Sequence, residues 1–313
     1  MKGQNMEFQI TLTNVLVTLF YIIPGFLLRK AKIVSEKELG TASGILVYGG
    51  TPFLVINAFL QMDFSWKDFG EMGLFFIMTF FLQAAFMALI ALVLKKKFGE
   101  SKYRLMTIGS VLGNVGFFGL PIVRAVFPEN PEVACFATMN MMSMNVLLFT
   151  FGVFCLTGDR KYISVKSALT NPTALGLYIA LPVYIFGVKR FLPAAALTAV
   201  STISSMTAPL CMMILGIRLA SAPLKEIFTN RLVYPAIALK LIAFPLFSYA
   251  IVYFLPFTNA FKSSILILAA APAGSVILSL AEMHHGETKM AANILLLSTV
   301  CCFITIPLLV LLL

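Results

Sequence analysis

The stretch Gly113-Asn114-Val115-Gly116-Phe117-Phe118-Gly119-Leu120-Pro121 lies inside an apolar run that opens near Tyr103 and closes near Phe127. Such a run reaches the ~20 residues that a helix needs to cross a bilayer. Yet it carries glycines, a proline and an asparagine where lipid favours Leu and Ile. Proline removes a backbone donor and clashes with the preceding turn, and glycine lets the backbone leave helical geometry. Freed backbone polar groups are tolerated at membrane depth only where they face protein or a watery cavity. Two expectations follow. Either the helix breaks here and lines a cavity with Asn114 pointing inward, or the glycines make a packing face with a proline kink.

A second interruption weights the first alternative. Ala271-Pro272-Ala273-Gly274-Ser275 breaks an apolar run from Lys262 to about Met283. A shift of 158 positions superposes the two stretches, setting Asn114 on Pro272 and Gly116 on Gly274. The same shift sets Pro24 on Pro182, Lys67 on Lys225, Asp68 on Glu226 and Arg104 on Lys262. Paired interrupted spans in two halves of a chain point to the binding site of a transporter.

The chain of 313 residues is 60% hydrophobic and 12% charged, too few charges to cover a soluble protein of this size, so an integral membrane protein is expected. Ten apolar runs are legible, at roughly 8–28, 40–60, 70–94, 104–126, 133–156, 172–189, 195–217, 232–254, 262–283 and 290–312. The joints are short and leave no room for a soluble domain. The longest, Thr157 to Thr170, divides a first five-helix repeat (1–157) from a second (171–313), with a linker at 158–170. Five spans is an odd number, so the second repeat enters the membrane from the opposite side. The fold class predicted is all-α, with ten transmembrane helices as two inverted five-helix repeats.

The net charge of +10 needs no nucleic acid partner, because the basic residues sit in the joints. Alternate joints hold sixteen Lys and Arg, among them Arg29, Lys95, Arg160, Arg218 and Lys289. The other end holds six, among them Lys2, Arg124 and Lys262. The positive-inside rule puts the richer end in the cytoplasm and both termini outside. The first run ends in Arg29-Lys30 with no small-residue cleavage site, as a retained first span would. The five cysteines show neither metal spacing nor a disulfide framework. No metal, cofactor or catalytic constellation is expected.

Thr51, Asn57 and Asn145 are polar residues inside runs and candidates for a cavity wall, since burying an unpaired amide is costly. None of the 13 acidic residues lies near the middle of a run. Glu282, with His284 and His285 after it, sits at the cytoplasmic end of the ninth. A deep carboxylate of the kind proton relays use is therefore missing. Lys240 is the one basic residue well inside a run. It either snorkels to the headgroups on its long stem or attracts an anionic substrate.

These residues together resemble the auxin efflux carrier family, whose bacterial members include malate and malonate permease-like proteins. The resemblance is carried by Gly113-Asn114 with Gly119-Leu120-Pro121, and by Ala271-Pro272-Ala273-Gly274-Ser275 followed by Ala281-Glu282. Ser298-Thr299, Asn171-Pro172 and Lys240-Leu241 with Pro245 also match it. It covers essentially the whole chain. It implies that helices four and nine break and cross near the midplane, that Asn114 contributes to binding a carboxylate-bearing organic anion, and that the chain is a homodimer. It further places an acid–lysine pair at Asp63 and Lys67. The plant carriers have a long central loop, which is absent here. The bile acid–sodium symporters share the architecture but hold sodium with acidic and amide residues, and Pro272 to Ser275 contain no acid.

The expected function is a secondary carrier working by alternating access in the cell membrane, with malate, malonate or an auxin-like acid as substrate. Half-helix N-termini and the Asn114 amide would hold the carboxylate, with Ser275 acting from the other half. Gly116 and Gly274 would admit the ligand to the backbone, and Pro121 and Pro272 would hold the breaks open. The coupling ion, proton or sodium, is left open. A sodium-coupled symporter is the alternative, and a channel, a sensor or a membrane enzyme are competing classes.

Overall fold

The structure, a computed structural model, describes residues 2–222, 228, 230–284 and 286–313, with side chains from Met6 onward. Lys225, Glu226, His285 and the Lys2 side chain, which entered the patterns above, lie outside the described residues. Among the described residues, eight helices are long and apolar enough to cross a membrane. They are α1 (Met6–Lys30), α2 (Glu36–Leu60), α3 (Trp66–Val93), α5 (Glu132–Thr157), α6 (Arg160–Ile185), α7 (Ala194–Ser221), α8 (Val233–Tyr253) and α10 (Thr288–Val310). Two more are interrupted. The fourth consists of α4a (Ser101–Gly109) and α4b (Val115–Val126). The ninth consists of α9a (Asn259–Ala270) and α9b (Ser275–Met283).

Local chemistry explains several starts and bends. Side chains of Ser65, Asn171 and Thr258 accept the N–H groups of Asp68, Ala174 and Phe261, capping first turns that would otherwise leave donors unpaired. Three helices widen by one residue just before a proline. These π turns are Ile45–Gly50 before Pro52, Val115–Gly119 before Pro121 and Leu239–Ala243 before Pro245. In each, the residue preceding the proline donates five residues back: Thr51 to Leu46, Leu120 to Val115, Phe244 to Leu239. Proline cannot supply the usual bond four residues back, and a one-residue bulge accommodates the gap.

The helices pack in two groups. α1, α2, α6 and α7 form one, with α1 against α7 and α2 against both α6 and α7. At the α1–α7 contact, a Cβ on Gly25 would strike the Met213 carbonyl and one on Gly216 would strike the Ile22 carbonyl. Small residues there let two backbones touch, as in membrane helix pairs generally. The second group contains α3, α4a, α4b, α5, α8, α9a, α9b and α10. Its centre is aromatic. Phe75 of α3 stacks on Phe136 of α5 with centroids 4.6 Å apart, and both meet Phe261 of α9a edge-on at 4.8 and 5.4 Å. That cluster anchors the first half of the interrupted ninth helix. On the outside, Phe81, Leu92, Ile179, Phe191 and Phe254 are exposed, the apolar surface that a bilayer covers.

Candidate functional site

The two interruptions meet backbone to backbone. Gly113 and Ala273 form an antiparallel bridge, with Asn114 N–H donating to Pro272 O at 2.7 Å and Gly274 N–H donating to Leu112 O at 3.1 Å. The bridge thus sets Asn114 opposite Pro272, the residue that the 158-position shift superposes on it. Pro272 has no N–H to return the bond, so the Asn114 carbonyl accepts instead from Phe118 and Gly119 at 3.1 and 3.2 Å. Those bonds start α4b. Ser298 of α10 holds the other side of the break: its Oγ accepts the Ala273 N–H at 3.0 Å, in a region with no access to water.

Close approach requires glycine at two of these positions. A Cβ on Gly274 would lie 3.1 Å from the Gly113 carbonyl oxygen. One on Gly113 would lie 3.0 Å from Lys240 Nζ and 3.3 Å from the Ala271 oxygen. The packing-face and cavity alternatives of the sequence therefore both hold in part. Gly119 packs toward Leu268 and Gly116 toward Met141, while Gly113, Asn114 and Gly116 also border open space.

That space is a cavity of about 1630 Å³ between the two helix groups. It reaches from the crossing to the end of the molecule where Glu36, Arg218, Glu282 and Lys289 lie. Six predicted binding residues line it: Asn114, Gly116, Gly274, Ser275, Thr51 and Asn145. Among the described residues the Asn114 amide has one side-chain hydrogen bond, Nδ2 to Cys211 Sγ at 3.7 Å, and sulfur is a weak acceptor. Its hydrogen-bonding capacity is therefore largely unspent. Ser275 opens α9b beside it and is partly exposed. The Thr51 hydroxyl donates to the Leu46 carbonyl in its own π turn at 3.4 Å.

Other predicted residues lie elsewhere. Asn57 does not border the cavity. It faces α7, donating to Ser204 Oγ at 3.3 Å and accepting from Gln61 at 3.3 Å, so its buried amide is satisfied by helix packing. Lys240 does not snorkel. It has no exposed surface, and Nζ donates to the Ala269 carbonyl at 2.7 Å, because the crossing brings an unpaired helix end within its reach. Asp63 and Lys67 form no pair: Lys67 reaches Glu71, one turn on, at 3.9 Å. Asp63 borders a separate 260 Å³ pocket with Lys189 and Arg190. Pro121 sits in the first turn of the α-helical part of α4b, and Pro272 sits in the break itself.

Some cavity chemistry was not read as such from the sequence. Asn145 Nδ2 donates to Asn171 Oδ1 and Thr173 Oγ1, both at 3.1 Å, and all three residues line the wall. Asn171 shows in the sequence only in the Asn171-Pro172 pair that the family resemblance includes, with no cavity role. At the mouth, Arg218 of α7 pairs with Glu282 of α9b at 2.9 Å, joining the two helix groups.

A bundle of apolar helices, with two broken ones crossing over a large internal cavity, defines a multi-pass membrane transport protein. The chain belongs to the family described as membrane transport protein, the auxin efflux carrier-like family, which matches residues 10–167 and 160–310. It is similar to an uncharacterized transporter of Methanocaldococcus jannaschii, 25% identical over 304 residues that cover 94% of this chain and 96% of the relative. An uncharacterized transporter of Methanothermobacter thermautotrophicus is 21% identical over 309 residues, covering 97% of this chain and 98% of the relative.

Proposed function

We propose that this chain is a secondary carrier for a carboxylate-bearing organic anion of the malate or malonate type, with an auxin-like acid in the same chemical class. One observation carries the proposal: Asn114, whose amide bonds only the Cys211 sulfur among the described residues, borders the cavity where α4b and α9b both begin. Each helix start offers unpaired N–H groups and a partial positive charge of roughly half a unit. An anion can bind there without a salt-bridging Arg or Lys. Asn114 donates to one carboxylate oxygen and Ser275 to the other. Gly116 and Gly274 keep the backbone accessible, Pro121 and Pro272 maintain the breaks, and Thr51 and Asn145 form the wall. No covalent chemistry is involved.

Ten spans in two inverted repeats, 1–157 and 171–313, joined through 158–170, whose residues from Arg160 on open α6, complete the architecture. Two features support it. The Asn114–Pro272 pairing falls on the 158-position shift, and contacts recur in matching pairs, α1 with α7 as α6 with α2, and α3 with α5 as α8 with α10. With both termini outside, the cavity opens to the cytoplasm, so the structure corresponds to an inward-facing state. Transport follows when the α1–α2–α6–α7 group rocks against the other about the crossing.

The test is uptake of radiolabelled malate by proteoliposomes under a sodium gradient, a pH gradient and an imposed potential. Saturable uptake with counter-substrate exchange is the expected result. Conductance without saturation would make the protein a channel, and no uptake under any gradient would remove malate as a substrate.

A further inference from the structure

Lys240 is fully buried, and no carboxylate among the described residues pairs with it. Its partner is a helix end. Ala269 lies in the last turn of α9a, where carbonyls lack intrahelical partners. The N–H that would ordinarily close onto Ala269 is that of Ala273, and it donates to Ser298 instead. Lys240 Nζ takes the vacated carbonyl at 2.7 Å, beside the notch left by the missing Gly113 side chain. The Phe244 ring, 5.3 Å from Nζ to its centroid, closes another side with its negative face.

In carriers built from discontinuous helices, half-helix N-termini face the anionic substrate. Unwound carbonyls and half-helix C-termini hold the coupling cation. Here that second position already contains a cation on a tether. We propose that the Lys240 ammonium stands in for a coupling sodium ion at the crossing, so that this chain moves its anion independently of sodium. The proposal rests on the carrier function given above. It makes Lys240 a positioning residue that fixes the α9a end and thereby the crossing, without touching substrate. Removing the side chain down to Cβ leaves a hole for a small cation at the Ala269 carbonyl, between Gly113 and the Phe244 ring.

Thermal unfolding of the purified full chain, in sodium chloride or choline chloride at equal ionic strength, tests this without any substrate. The wild type is expected to unfold at the same temperature in both salts. Lys240→Ala is expected to unfold earlier and to regain roughly 2–4 °C in sodium or methylammonium, as a native-state ligand would produce. Lys240→Met, whose stem fills the hole without a charge, should be destabilised and regain nothing. Stabilisation of the wild type by sodium would overturn the proposal, and this comparison decides even if the alanine variant is not recovered. A Lys240→Ala protein that responds to neither cation would also overturn it. Malate uptake absent in every salt would count against the carrier function alone and leave the thermal result standing.

Discussion

Asn114 and Pro272 share one backbone hydrogen bond, 2.7 Å from the asparagine N–H to the proline carbonyl, where two facing residues of an antiparallel pair would ordinarily share two. The proline is the reason, and the released Asn114 carbonyl is what nucleates α4b. One residue thus closes the crossing, starts a half-helix and borders the cavity with its amide.

The backbones at the crossing leave a tight fit for a side chain at Gly274. Gly274→Ala puts a Cβ 3.1 Å from the Gly113 carbonyl oxygen and 3.3 Å from its carbon, and backbone cannot turn away as a side chain can. A loss of about 1–3 kcal/mol is expected from such overpacking. Thermal unfolding of the purified variant checks it, and transport should fall with it because the two breaks separate.

Ser298 contributes through a hydrogen bond that nothing else replaces. In Ser298→Ala the Ala273 N–H is left buried and unpaired, which costs about 1–3 kcal/mol. Ser298→Thr keeps the oxygen and should recover most of the loss. An alanine variant as stable as the wild type would remove Ser298 from the account of the break.

The cavity wall can be mapped by thiol labelling in a background lacking the five native cysteines. Thr51→Cys, Asn145→Cys and Ser275→Cys should react with a water-soluble reagent added from the side on which the cavity opens, since all three positions border the cavity. Asn57→Cys should stay protected, because Asn57 is turned to Ser204 on α7. Equal labelling of Asn57→Cys would mean that the gap between α2 and α7 is wet.

Lys67 should matter little. Its pair with the partly exposed Glu71 is long and lies at the surface, the kind of contact that contributes between nothing and about 1 kcal/mol. Lys67→Ala is expected to leave both melting temperature and uptake near wild-type values. A collapse of uptake would restore the acid–lysine role that the family resemblance assigns to Asp63 and Lys67.

How much was legible follows from what each residue's chemistry exposes in one dimension. Glycine and proline inside an apolar run have few structural uses, so the pair of stretches that hold the breaks, Gly113–Pro121 and Ala271–Ser275, was legible, although the first break falls before Val115 and Pro121 lies inside α4b. The shift that pairs Asn114 with Pro272 was visible for the same reason. Partner choice was not visible. Asn57 and Asn145 are the same residue type in similar apolar settings, yet one meets Ser204 across a helix contact and the other meets Asn171 and Thr173 at the cavity. Only the rotation of each helix about its axis separates them. The direction of Lys240 was hidden likewise, because its partner is a carbonyl, which every residue has, freed by a break 29 positions away. Ser298 is legible only as part of the family resemblance, with no role attached, because a serine in a membrane helix usually bonds its own preceding turn, as Ser298 also does at Leu295.

The most direct test of the carboxylate site is a binding isotherm for malate and malonate on the purified wild type and on Asn114→Ala, each first verified to be folded by its melting curve. Losing one hydrogen bond to a charged group should weaken binding by about 10- to 100-fold while leaving the melting temperature of the unliganded protein near that of the wild type. Unchanged affinity in a folded Asn114→Ala protein would contradict the assignment and move the anion away from the crossing of the two broken helices.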